Sequence, residues 1–152
     1  MNKFSSDKVK LKLLMADDSD ADREIVRRIL EDNQINCQFE YVSNGAELLS
    51  YLANSAQSAD ASQSNWPDVL LLDINMPCMD GKEAIVKIRE LDNGYALPIV
   101  VLTTSNRTHD INECYALGAN AYITKPVTQQ DFNAVISGLN EFWFKLAQLP
   151  TQ

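Results

Sequence analysis

An α/β fold, with five parallel strands in one doubly wound sheet and five helices, is predicted by three features of the sequence. Short aliphatic runs alternate with stretches whose apolar residues recur at helical spacing. Two of those runs, Val69-Leu70-Leu71-Leu72 and Ile99-Val100-Val101-Leu102, are apolar throughout, as in strands covered on both faces. The strand ends carry Asp, Thr and Lys. Alternating strands and helices imply right-handed crossovers and a parallel sheet. In such sheets the site lies beyond the carboxyl ends of the strands, near the switch in strand order.

Leu11 to Ala16 reads as the first strand, followed by the acidic Asp17-Asp18-Ser19-Asp20 and a helix with Ile25, Val26, Ile29 and Leu30 on one face. Ser19 with Asp22 three residues on resembles a capping box, and acids suit the positive end of the helix dipole. Cys37 to Val42 is a second, less apolar strand, and Asn44 with Glu47 starts the helix of Leu48, Leu49 and Leu52. Asn54 to Asn65 contains nothing large to bury and reads as a solvent loop within one domain. After Trp66-Pro67 comes the third strand, ending at Asp73. A turn through Met76-Pro77-Cys78-Met79-Asp80-Gly81 leads to a helix bearing Ala84, Ile85, Ile88 and Leu91, which ends near Asn93-Gly94. Pro98 opens the fourth strand, which ends in Thr103. Ile111, Cys114, Tyr115 and Leu117 mark a helix stopped by Gly118; Ala121-Tyr122-Ile123 is the fifth strand, and Thr128 with Asp131 caps the last helix. The expected organisation is an N-terminal arm over residues 1–10, one domain over 11–141 with a polar surface loop at 54–66, and a helix end and tail over 142–152.

The 152 residues carry 13 Lys or Arg against 21 Asp or Glu, a formal charge of −8. Between residues 17 and 75 there are twelve acids and three bases (Arg23, Arg27 and Arg28), so this half repels phosphate backbones and nucleic acid is an unfavoured partner. No apolar run approaches a membrane span or a signal-peptide core. Cys37, Cys78 and Cys114 are odd in number and show neither C-x-x-C nor zinc-site spacing, which fits reduced thiols in a cytoplasmic protein. His109 has no ligand partner at metal-site spacing and reads as a surface residue.

The fold brings Asp17 and Asp18, Asp73, Thr103 and Lys125 to one edge. Three carboxylates within about 4 Å of one another repel by roughly 4 kcal/mol per pair at an effective dielectric near 20, so the cluster asks for a cation. All-oxygen ligands with open positions suit Mg²⁺, which keeps waters and shares phosphoryl oxygens. With Lys125 and Thr103 completing an anion site, one carboxylate is left to attack phosphorus.

These residues resemble the receiver domain of two-component response regulators, the CheY-like, flavodoxin-like fold. The resemblance rests on Asp17-Asp18, on Asp73-Ile74-Asn75-Met76-Pro77 with Asp80-Gly81, on Thr103 and on Lys125-Pro126, with separations of 55, 30 and 22 residues between Asp18, Asp73, Thr103 and Lys125. It implies that Asp73 is the phosphoacceptor and that Asp18 and Asp73, with the backbone carbonyl of Asn75, bind Mg²⁺ while Asp17 assists. It further implies that Thr103 is the switch hydroxyl, Tyr122 the switch aromatic and Lys125 the phosphoryl partner, with a cis Lys125–Pro126 peptide. A sensor histidine kinase is the implied donor. The loop before Trp66 and the ending Phe142-Trp143-Phe144 are similar to single-domain regulators that partner bacterial phytochromes, and these aromatics are an expected homodimer or partner surface. Since the residues after Lys125 amount to a helix and a tail, the output is expected to be a second, unidentified protein. A phosphorylation-independent adaptor and a carboxylate-nucleophile phosphohydrolase are the competing readings; the second is disfavoured because Asn75 stands where such hydrolases carry an acid.

Overall fold

The computed structural model describes residues 10–56 and 65–150. In chain order these form β1 (Leu11–Ala16), α1 (Asp20–Asp32), β2 (Cys37–Val42), α2 (Gly45–Ala56), β3 (Val69–Leu72), α3 (Gly81–Arg89), β4 (Ile99–Thr103), α4 (Thr108–Leu117), β5 (Ala121–Thr124) and α5 (Gln129–Leu139). A 3₁₀ turn at Gly94–Ala96 precedes β4, and a π-helical segment, Asn140–Leu146, continues from α5. All neighbouring strands are parallel, in the order β2-β1-β3-β4-β5. The chain steps outward from β1 to β2 and then crosses back to β3, so the order reverses between β1 and β3.

Alternation within the strands divides the core in two. Leu14, Ala16, Leu70, Leu72, Ile99 and Val101 face α2, α3 and α4, meeting Leu48, Leu52, Ile85, Ile88 and Cys114. Their neighbours Leu13, Met15, Val69, Leu71, Val100 and Leu102 face α1 and α5, meeting Val26, Ile29, Leu30, Phe132 and Ile136. Complete burial of the two central strands explains why they read as unbroken aliphatic runs. No helix among the described residues is long and apolar enough to cross a membrane.

The helix starts follow the predicted caps. Ser19 Oγ accepts from Asp22 N at 3.1 Å, Asn44 Oδ1 from Glu47 N at 2.8 Å, and Thr128 Oγ1 from Asp131 N at 3.1 Å. Gly118 ends α4 at φ 122°, a conformation side chains disfavour. Three boundaries differ from the sequence expectation. α3 stops at Arg89, several residues before Asn93. α2 runs through Ala56, because buried Ser55 donates its hydroxyl to the Tyr51 carbonyl at 2.7 Å and so fits a helix interior despite its polarity. Trp66 is buried in the α2–α4 face and is no part of a solvent loop. Residues 57–64 of that expected loop, and 1–9 of the expected arm, lie outside the described residues. In the C-terminal aromatic triplet, Trp143 and Phe144 pack with Leu149 against the α1/α5 face, whereas Phe142 is exposed.

Candidate functional site

Strand register assembles the site. Ala16 of β1 pairs with Leu72 of β3, so the residues that follow, Asp17 and Asp73, leave the sheet side by side at the point where strand order reverses. Asp73 N is anchored to the Ala16 carbonyl at 2.9 Å and Asp17 N to the Val42 carbonyl at 3.0 Å. One oxygen each from Asp17, Asp18 and Asp73 lies within 4.8 Å of the others; Asp17 and Asp73 are buried and Asp18 faces solvent. Past β5, Lys125 N donates to the Thr103 carbonyl at 2.6 Å, which fixes the backbone from which its side chain enters the pocket. Thr103 is fully buried, with Oγ1 3.5 Å from Asn75 Nδ2. Asn75 N donates to Asp73 Oδ1 at 3.1 Å and holds that carboxylate in place.

The turn after Asp73 needs the glycine that closes its motif. A Cβ on Gly81 would lie 2.5 Å from the Asp73 carbonyl oxygen and 2.6 Å from Ile74 Cα. Gly81 N bonds to the Ile74 carbonyl, and Asp80 Oδ1 caps α3 by accepting from Glu83 N at 2.9 Å.

The lysine is the pocket's cation. Its Nζ lies 2.7 Å from Asp17 Oδ2, 2.7 Å from Asp22 Oδ2 and 3.3 Å from Asp73 Oδ2. Burial alone would lower the pKa of Lys125, but hydrogen bonds with Asp17 and Asp22 and the charge of Asp73 outweigh it and the net shift is upward. For Asp17 the balance goes the other way. Burial raises its carboxyl above the ordinary range in spite of Lys125 and the Ser19 N–H that donates to Oδ1 at 2.9 Å. One ammonium thus faces three carboxylates while Asp18 stands beside them, and this hard-oxygen, net-negative set fits a divalent cation.

The structure corrects one expectation. No cis peptide occurs among the described residues, so Lys125–Pro126 is trans. Trans is the ordinary preference of such bonds, and from that backbone the ammonium already reaches Asp73.

Tyr122, half-buried against the α2–α4 core, donates its hydroxyl to the Ser105 carbonyl at 2.9 Å and so ties β5 to the loop after Thr103. Ser105 Oγ donates to Asp110 Oδ2 at 2.5 Å, and Asp110 with Glu113 receives Lys82 Nζ at 2.6 and 2.5 Å. This chain from Tyr122 to α3 was not visible in the sequence, because no motif spacing links Lys82 to Asp110. Asp22 was also missed as a pocket residue, although it stands in the first turn of α1, directly after the acidic loop. Buried Arg23 is a further unpredicted support: its guanidinium donates to the Asp17 carbonyl at 2.6 Å, pairs with Asp20 and lies 4.5 Å over the Tyr41 ring.

The fold and this acid–lysine pocket define a signalling domain of the two-component class. Residues 13–137 match the response regulator receiver domain, and the chain belongs to that family. It is 30% identical over 138 residues to the response regulator Rcp1 of Synechocystis sp., covering 91% of this chain and 92% of Rcp1. The structure is similar to that of the phosphorylated cyanobacterial phytochrome response regulator RcpA, with TM-score 0.83, 31% identity, and coverage of 94% of this chain and 100% of RcpA. It is also similar to the Mn²⁺-bound form of Rcp1, with TM-score 0.80, 30% identity, and coverage of 93% and 99%. The chain is therefore a receiver domain homologous to two-component response regulators, and a divalent cation suits its acidic cluster.

Proposed function

We propose that the protein is a stand-alone phosphorylation switch whose phosphoacceptor is Asp73 and whose donor is the phosphohistidine of a sensor histidine kinase. The observation that carries this reading is that buried Asp73 lies within reach of both the carboxylates of Asp17 and Asp18 and the Lys125 ammonium. In the transfer an Asp73 carboxylate oxygen forms a bond to phosphorus as the P–N bond of the donor breaks, and the imidazole leaves with the electron pair. Asp17, Asp18 and Asp73, with the Asn75 carbonyl, are the residues that would hold Mg²⁺; the ion when bound neutralises charge on the transferring oxygens. Lys125 supplies positive charge at the phosphoryl oxygens, and the Thr103 hydroxyl, drawn toward the new dianion, pulls the following loop inward. That movement strains the bond between Tyr122 and Ser105 and frees the ring to turn, which changes the α4–β5 surface offered to a partner.

Similarity to RcpA, a cyanobacterial phytochrome response regulator, supports a phytochrome-type kinase as the donor. We assign the receiver to residues 11–141 and the tail from Phe142, where Phe142 and Leu146 are exposed, to self-association. Sedimentation equilibrium of the chain truncated after residue 141 is expected to show a lower mass per particle than the full chain.

Incubation with acetyl phosphate and Mg²⁺ tests the switch. An acid-labile phosphoryl group on the native protein, lost in Asp73→Asn, is the expected result. Sustained turnover of a phosphorylated metabolite would favour a hydrolase, and a folded protein that never takes up label would favour an adaptor.

A further inference from the structure

Asp22 belongs to the helix that caps the site, yet its carboxylate does not do what a capping residue at that place does. In a capping box the acid at the third helical position reaches back to the N–H of the cap. Here the Ser19 N–H is already taken by Asp17 Oδ1, so the Asp22 side chain is released into the pocket, where its Oδ2 accepts from Lys125 Nζ. Of the three carboxylates around Lys125, Asp22 and Asp73 accept hydrogen bonds from the ammonium, and Asp17 stands at ion-pair distance. The contacts are unequal: 2.7 Å to Asp17 and to Asp22, 3.3 Å to Asp73. Asp22 stands outside the close acidic triplet of Asp17, Asp18 and Asp73. It competes for the lysine without being one of the residues that gather around a cation.

We propose that Asp22 is a positioning residue for phosphoryl transfer, holding the Lys125 ammonium at 2.7 Å against the longer 3.3 Å contact with Asp73 and so setting how readily that lysine engages an incoming phosphoryl group. This rests on the reading of Asp73 as the acceptor. To meet a phosphoryl group, the lysine exchanges its Asp22 contact for a phosphoryl oxygen, and the half-buried Asp22 carboxylate turns to water. The resting protein thereby resists adventitious phosphorylation by small donors, because part of the attraction offered by Lys125 is already spent on Asp22.

The test follows uptake from acetyl phosphate over a range of donor concentrations, at saturating Mg²⁺. Asp73 gains the phosphoryl group as the P–O bond to acetate breaks, and acetate leaves with the electron pair. Asp22→Asn, with Asp22→Ala as a second variant, is expected to take up label about three- to tenfold faster than the native protein. Asp22→Glu, which keeps the charge, is expected to return toward the native rate. Asp20→Asn removes the same charge from a side chain that is 92% exposed on the same turn, and is expected to change the rate by less than about twofold. In a Lys125→Gln background Asp22→Asn is expected to have no effect, because there is no ammonium left to hold. A native rate in both Asp22→Asn and Asp22→Ala overturns the proposal, as does an equal gain with and without Lys125. Label that survives Asp73→Asn instead overturns the acceptor assignment, whereas label lost in Asp73→Asn with a native rate in Asp22→Asn removes only the holding role.

Discussion

Two lysines in this protein are each gripped by a pair of carboxylates at 2.5 to 2.7 Å, and the pairs behave oppositely. Lys125 and Asp17 are 5% and 1% exposed, deep at the switch in strand order. Lys82, Asp110 and Glu113 are 24%, 11% and 42% exposed, bridging α3 and α4 near the surface. In the first cluster burial prevails and the Asp17 carboxyl rises. In the second the hydrogen bonds from Lys82 and then Ser105 prevail, and the Asp110 carboxyl falls to about 2. The same ion pair is therefore a store of unrelieved charge in one place and a clasp in the other, and the difference is how much water each acid has given up.

The largest expected effect tests the buried cluster. Lys125→Ala leaves Asp17, Asp22 and Asp73 without their ammonium and is expected to lower stability by about 3 to 5 kcal/mol in EDTA, with part of the loss regained in Mg²⁺. Urea unfolding with and without the metal measures both; equal midpoints for native and variant in EDTA would mean that the pocket holds no excess charge. Next comes pH dependence in EDTA. Because the folded pKa of Asp17 is raised, that group opposes folding above its folded value and the opposition fades on acidification. Asp17→Asn is expected to be more stable than the native protein near neutrality, with the advantage shrinking as pH falls. For Asp110 the folded pKa is depressed, so its contribution is full above the unfolded value of 3.8 and is lost toward about pH 2. Asp110→Asn is expected to start less stable, the deficit closing across that window. Urea midpoints from pH 7 to pH 2 decide whether the two gaps have opposite signs.

Smaller effects probe the clasp. Lys82→Met is expected to speed amide exchange in α4 severalfold while β1, β3 and β4 keep their protection. Equal protection of α4 in native and variant would show that apolar packing, such as that of Cys114, holds the helix without the ion pair. Ser105→Ala is expected to change least: faster exchange confined to residues 104–107, with the global urea midpoint unchanged.

The strands and the polar residues that end them were legible because each obeys a local rule. Val69 to Leu72 and Ile99 to Leu102 are apolar since both faces are covered, and Asp73 and Thr103 stand out as polar residues ending those runs. Asp22 was legible only as a cap, because its second role depends on Ser19 giving its N–H to Asp17, a choice made in three dimensions. The extra turn of α2 was hidden for a related reason: Ser55 reads as loop by composition, and its burial and its bond to the Tyr51 carbonyl arise only in the folded chain. The trans Lys125–Pro126 bond was expected from the resemblance to be cis, and nothing in the flanking residues distinguishes the two isomers.

The tryptophans fall one to each side of the sheet, Trp66 in the layer formed with α2 to α4 and Trp143 against the layer of α1 and α5. Replacing either by Phe leaves a single indole emitter confined to one layer. The protein thus carries two native optical reporters, and their separate emission shifts can tell whether a signal that begins at the pocket travels through both sides of the domain or only one.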